Sequence, residues 1–168
     1  MPIAPRHSAA VTALALAGTE AVLEIGCGHG VAVRLVLDQL TSGTIMALDR
    51  SAKMIDMVEA GNAEALASGR LVTRAVALED ADFAGTTFDA IFAVNVDFNL
   101  RLGTRWPAML QGLLRFGGRI VLAFDPPPDS GKGHAFAGKS LDRLEAAGFA
   151  AALLPAHGKV TVIRADLA

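Results

Sequence analysis

The stretch Glu24-Ile25-Gly26-Cys27-Gly28-His29-Gly30 stands between a short apolar run, residues 21–25, and a helical pattern over residues 31–40. Glycines at alternate positions make a tight turn and let a ligand approach the backbone closely. A helix that starts just after the turn adds the positive end of its dipole, which favours a carboxylate or another anion. The dinucleotide fingerprint G-x-G-x-x-G needs its third glycine at position 31, where Val31 stands. The match therefore fails at the residue that permits close helix–strand packing. Glu24, at the tip of the strand, would repel a pyrophosphate and suits a ligand that carries positive charge.

Outward from this turn, apolar runs alternate with helical patterns. Residues 44–48, 71–76, 88–94 and 119–124 read as further strands. Ser51 can N-cap a helix reaching about residue 67, and a helix over residues 106–116 stops at Gly117-Gly118. Ser140 can cap a last helix that ends at Gly148. Residues 149–154 and 159–164 then form two strands joined by a short turn, an antiparallel pair. Such alternation requires a mostly parallel sheet covered on both faces, with ligands at the carboxyl ends of its strands. Residues 125–138 include Pro126-Pro127-Pro128 and Gly131-Lys132-Gly133 and read as a mobile loop. Residues 8–17 read as a first helix and not as a secretory signal, because Gly18-Thr19-Glu20 leads into a strand that the sheet needs.

The second strand ends in Asp49, about 20 residues beyond the glycine turn, where an acid can accept hydrogen bonds from both hydroxyls of a ribose. S-adenosylmethionine (SAM) carries a ribose, an ammonium and a sulfonium beside a single carboxylate. One acid, one helix N-terminus and Asp49 suit it.

Composition bounds the partners. With 168 residues, 52% hydrophobic and 19% charged, the chain is a packed globular protein and one domain in size. Its mean hydropathy of +0.43 is explained by an apolar patch kept for a second copy, as in a homo-oligomer, or simply by the many alanines. No run of about 18 apolar residues predicts a membrane span. The single cysteine, Cys27, excludes an internal disulfide framework and a cysteine-rich zinc site, which suits a reducing, cytoplasmic setting. His7, His29, His134 and His157 show no metal spacing, so no metal is expected. The net charge of −2, with no Lys/Arg stripe, makes nucleic acid a poor candidate partner.

Taken in order, four segments resemble the class I SAM-dependent methyltransferases, and the resemblance covers nearly the whole chain. Residues 22–30 resemble the family's first motif, and Leu48-Asp49-Arg50-Ser51 with Met54-Ile55 its second. Residues 88–95 resemble its fourth strand. Leu113-Leu114-Arg115-Phe116-Gly117-Gly118-Arg119 is similar to its L-x-P-G-G-R turn, with Phe116 where proline is usual. The resemblance implies a Rossmann-like α/β fold, a doubly wound sheet of seven strands in the order 3-2-1-4-5-7-6 with the seventh antiparallel. It implies SAM as cofactor and methyl transfer as activity; the substrate itself is not readable, and a small-molecule nucleophile is expected. Glu24, Gly26, Cys27, Gly28 and Gly30 would surround the methionine part, Asp49 would hold the ribose, and Arg50 and Met54 would lie near the adenine. Asn95 and Val96 would face the cofactor at the end of the fourth strand. The family often places Gly-Asp-Ala after its third strand, the aspartate bonding the adenine amino group. Here Val76-Ala77-Leu78 stand there, so adenine would be held by backbone groups at Ala77 and Leu78, or by Glu79 or Asp80.

Residues 1–168 are accordingly expected to form a single SAM-binding domain, with residues 1–18 as an N-terminal lid helix over the site. The loops over residues 95–105 and 125–138 would complete its walls, and Arg101, Arg105 and His134 would lie nearest the substrate. No histidine or carboxylate pair can be assigned as a base with its orienting partner, so methyl transfer is expected to rest on positioning. A SAM-binding subunit or sensor without its own catalysis is the alternative. Gly133-His134-Ala135-Phe136-Ala137-Gly138-Lys139-Ser140 matches the phosphate-loop pattern letter for letter, but too little chain follows it for the rest of such a domain. Asn95-Val96-Asp97-Phe98 distantly resembles the Asn-Pro-Pro-Tyr of amino-group methyltransferases, with both prolines missing.

Overall fold

Successive residues of the first strand, β1 (Ala21–Ile25), point to opposite faces: Val22 and Leu23 are both wholly buried, each in a different hydrophobic cluster. A strand apolar on both faces must be covered twice, and the chain supplies helices for both sides. The computed structural model describes residues 2–126, 132–155 and 158–167, the side chain of His134 excepted. The other strands are β2 (Thr44–Asp49), β3 (Leu71–Ala75), β4 (Phe88–Val94), β5 (Leu114–Phe124), β6 (Phe149–Leu153) and β7 (Thr161–Leu167). They form one sheet in the order β3-β2-β1-β4-β5-β7-β6. β7 runs antiparallel to both neighbours and the remaining pairings are parallel, as the sequence implied.

One cluster joins α1 (Pro5–Leu14), α2 (Val31–Gln39) and α3 (Ala52–Ala60) to the sheet. The other joins α5 (Phe98–Leu102), α6 (Trp106–Leu113) and α7 (Lys132–Ala146) to the opposite face. The helix expected over residues 51–67 divides at Gly61 and Asn62 into α3 and α4 (Ala63–Ala67). Ser51 is its N-cap as expected, the hydroxyl accepting from the Met54 amide at 3.4 Å.

Three expectations are corrected. The helix before β5 ends at Leu113 and not at Phe116, because Leu114 takes extended backbone and pairs with Phe88. The register then shifts around Gly117, at φ +72°, leaving Phe116 91% exposed before regular pairing resumes at Arg119. Residues 132–140 are not loop: α7 begins at Lys132, and Phe136, Ser140 and Leu144 recur at helical spacing on its buried face. Ser140 is therefore no cap; its hydroxyl accepts from Asn99 Nδ2 at 2.9 Å inside the helix layer. Asn99 Oδ1 in turn accepts from Trp106 Nε1 and from Arg143, tying α5, α6 and α7 together. Residues 127–131 lie outside the described residues, as does His157.

The body of α1 buries Ala9, Ala10, Val11, Ala13 and Leu14 against the sheet and α2, so it belongs to the core. Its last carbonyls are met by Arg119, which donates to Leu14 and Ala15 and is paired with Glu20 at 3.3 Å. A cation at a helix C-terminus complements the dipole.

Candidate active site

The turn after β1 is built by backbone that few residues tolerate. Gly26 sits at φ +74°, and a Cβ there would come within 2.7 Å of Val96 Cγ2. Gly30, at φ +73°, is the N-cap of α2, where a Cβ would meet Val58 Cγ2 at 2.9 Å. Across the turn, the amides of Gly26 and Cys27 both donate to the Leu48 carbonyl. Asp49 completes the tie: its Oδ2 accepts from the Gly28 amide and its Oδ1 from the Ser51 amide, each at 2.9 Å. At the end of β4, Asn95 adopts a left-handed φ of +57° and its Oδ1 accepts from the Asp125 amide at 2.8 Å, joining β4 to the end of β5. Asparagine is among the few non-glycine residues that visit this region.

Two adjoining cavities open at these carboxyl ends, with Gly26, Val94 and Asn95 lining both. The first, about 510 Å³, is lined by Asp49, Arg50, Ser51 and Met54 on one side and by Val76, Ala77, Leu78, Val96, Asp97 and Arg101 on the other. The second, about 650 Å³, lies over the glycine turn, with Glu24, Cys27, Gly28, His29 and Arg34 below and Pro2, Ile3, Ala4, Arg6 and His7 above. Every residue expected around the cofactor lines one of them except Gly30, where an added Cβ would press on Val58 and which shapes the turn.

Glu24 is 2% exposed, and its Oε2 has no hydrogen-bond partner among the described residues. Burial, and then the Asp49 charge, push its carboxyl well above the ordinary carboxylate range. A buried acid held beside a second acid, with one oxygen unpaired, is costly unless a cation or donor arrives. The Cys27 thiol is pushed up to about 12 by burial first and then by Glu24 and Asp49, which keeps it protonated and unreactive. His7 is half-buried; burial and then the neighbouring Arg6 lower its pKa, against the pull of the Ala4 carbonyl. Its Nδ1 is buried without a partner.

The structure redistributes the residues expected nearest a substrate. Arg101 lines the first cavity, and α5 turns it onto Glu79 of the 3-10 turn Leu78–Asp80 at 2.7 Å. Glu79 is thus engaged, and neither Glu79 nor Asp80 lines the cavity; Asp97 does, with its Oδ1 already accepting from the Leu100 amide. Arg105 lines neither cavity, because it stands at the N-cap of α6. The His134 side chain lies outside the described residues. From the first helix only residues up to His7 line the second cavity. His7, Arg6, Ile3, Arg34 and Met57 were not identified from the sequence, because no spacing within it relates them to the glycine turn. Among the described residues no group of three or more His, Cys, Asp or Glu is placed to hold a metal, and no helix is long and apolar enough to cross a membrane.

This arrangement, a doubly wound seven-stranded sheet with an acid–glycine turn and a second acid at the tip of β2, defines a SAM-dependent methyltransferase fold. Residues 22–117 match the methyltransferase domain family, and the chain belongs to that family. It is an enzyme of the SAM-dependent methyltransferase class. No curated protein sequence matches it. Among solved structures it is similar to a precorrin-6y C5,15-methyltransferase from Geobacter metallireducens GS-15, with a TM-score of 0.73 and 16% identity over 96% of this chain and 87% of that one. It is also similar to a ribosomal protein L11 methylase from Lactobacillus delbrueckii subsp. bulgaricus, with a TM-score of 0.71 and 16% identity over 97% and 78%. An O-methyltransferase family protein from Burkholderia thailandensis gives a TM-score of 0.78 and 18% identity over 98% of this chain and 55% of that one, so this chain spans about half its length. At these identities the likeness is one of fold.

Proposed function

We propose that the chain transfers the methyl group of SAM to a small-molecule acceptor, with SAM spanning both cavities and the acceptor entering beside it in the second. The observation that carries this reading is Glu24, a buried carboxyl with an unpaired oxygen in a cavity that also holds the N-terminus of α2. An ammonium would satisfy that oxygen, while the helix N-terminus would favour the adjoining carboxylate. In the first cavity Asp49, fixed by two amides, has lone pairs left for the ribose hydroxyls. Met54, Ala77, Leu78 and Val96 offer adenine an apolar slot.

When bound, SAM supplies a methyl carbon that an acceptor's lone pair can take while the bonding pair stays with the departing sulfur. The residues of the chain need only to hold the partners in line and keep water out, and proximity of this kind contributes about 7–11 kcal/mol. Asn95, common to both cavities, stands where the two halves meet. Residues 2–7 cover the second cavity, whose open space beside the glycine turn is what an enzyme requires and a purely SAM-sensing module does not.

Calorimetric titration tests this reading: SAM and its demethylated product, S-adenosylhomocysteine, should bind, and ATP and NAD should bind far more weakly. Asp49→Ala should weaken SAM by about 2 kcal/mol or more, the scale of hydrogen bonds to a charged group. Tighter binding of ATP than of SAM would overturn the proposal.

A further inference from the structure

The second cavity has a charge balance opposite to that of the chain. The protein carries a net charge of −2, yet this cavity is lined by two arginines, Arg6 and Arg34, against one acid, Glu24. Glu24 does not balance them. It is buried at the strand tip, where burial and then the Asp49 charge raise its carboxyl above the ordinary range, and its unpaired oxygen faces the position proposed for the cofactor ammonium. The Arg34 guanidinium has no hydrogen-bond or ion-pair partner among the described residues, and its exposed position on α2 leaves it free to turn inward. Arg6 makes one contact, to Asp125 Oδ2 at 3.4 Å, which leaves most of its donor fork unused. On the same cavity, His7 Nδ1 is buried and has no partner among the described residues. The rim of the same cavity is apolar and open to solvent: Ile3 is 50% exposed and Met57 44%, two of the few large hydrophobic side chains left outside the core.

Guanidinium donors left unused beside an exposed apolar edge complement an anion that carries an apolar body. We propose that the second cavity selects an anionic acceptor with an apolar body, its carboxylate or phosphate held by Arg34 and Arg6 and its apolar part laid against Ile3 and Met57. The inference rests on the SAM reading of the site and adds the substrate class to it. A guanidinium matches a carboxylate or phosphate through two parallel hydrogen bonds, which a neutral amide of the same shape does not offer.

The cofactor also carries a carboxylate, so the test separates the two sources. Protein saturated with S-adenosylhomocysteine is titrated with phenylacetate and hexanoate and with the corresponding amides. The acids should bind at least tenfold more tightly than the amides, and Arg34→Ala and Arg6→Ala should each reduce that preference. In both variants the affinity for S-adenosylhomocysteine should stay within about threefold of the parent. Equal binding of acids and amides overturns the proposal. So does a tenfold loss of S-adenosylhomocysteine affinity in the variants with 5′-methylthioadenosine, which lacks the carboxylate, unaffected; that result assigns the arginines to the cofactor. If S-adenosylhomocysteine itself fails to bind, the cofactor reading falls, and the same titrations on the protein alone still measure the preference for anions.

Discussion

Glu20 and Glu24 bracket the first strand and are used in opposite ways. At the entry, Glu20 accepts from the amides of Ala17 and Gly18 at 2.8 and 2.9 Å and pairs with Arg119, so α1, β1 and β5 are fastened together. Burial pushes its carboxyl up, but these bonds outweigh it and hold the group below the ordinary range. At the exit, Glu24 is more deeply buried, makes no ion pair among the described residues and has an oxygen left over. The fold completes its hydrogen bonding at the amino end of the strand and leaves it incomplete at the carboxyl end. Local rules are broken where a ligand is to make good the deficit.

The largest effect expected from breaking this contrast is at the satisfied end. Glu20→Ala removes the acceptor of the part-buried Gly18 amide and the exposed Ala17 amide and the ion-pair partner of Arg119, and should lower the unfolding free energy by about 1–3 kcal/mol, the cost of one abandoned buried donor. Urea denaturation of the apo protein measures it, and an unchanged midpoint would reduce the pair to ornament.

Glu24→Gln should act the other way. It should weaken SAM by about tenfold or more, in keeping with a lost charge-assisted bond of about 1.5–3 kcal/mol, without lowering the stability of the apo protein. A variant that unfolds more readily and binds SAM unchanged would place Glu24 with Glu20 as a structural acid.

The pH dependence sharpens the comparison, because the two shifts have opposite signs. The Glu24 pKa is raised on folding, so its contribution is complete below the ordinary carboxylate pKa of about 4.3 and is lost as pH rises through the folded value. The Glu20 pKa is lowered, so its contribution is present above that range and lost as pH falls through the folded value. The stability advantage of Glu24→Gln over the parent should therefore grow with pH and shrink when SAM is bound. A difference that stays flat from pH 4 to 8 would sink the assignment.

The smallest effect concerns adenine. With Glu79 held by Arg101 and Ala77 and Leu78 lining the slot, an S-adenosylhomocysteine analogue lacking the 6-amino group should bind within about tenfold of the parent. A site built around that group rejects its absence by up to about 10⁴-fold. Strong rejection that disappears in Asp97→Ala would mean that Asp97 accepts from the amino group.

What the sequence by itself determined follows from short-range chemistry. Strand–helix alternation, the glycine turn, Asp49 about one βα unit later and the Ser51 cap depend on neighbours in the chain, and the seven-stranded order followed through family resemblance. Where long-range partners compete, the local signal misled. Gly133 and Gly138 read as loop, yet Phe136, Ser140 and Leu144 have a core and an Asn99 to meet, and burial overrides glycine's weak helix propensity. Gly117-Gly118 read as a helix stop, yet pairing of Leu114 with Phe88 ended the helix earlier. Glu79 could be proposed for adenine only while Arg101, 22 residues away, was out of view. At the second cavity the first helix was expected over the site, but not which of its residues would line it. Its upper wall comes from residues 2–7, carried there because the rest of α1 buries its apolar face on the sheet and α2. No spacing in the sequence announces that Arg6 and His7 will line one cavity with Glu24 and Arg34, because only the docking of that helix brings them to one place.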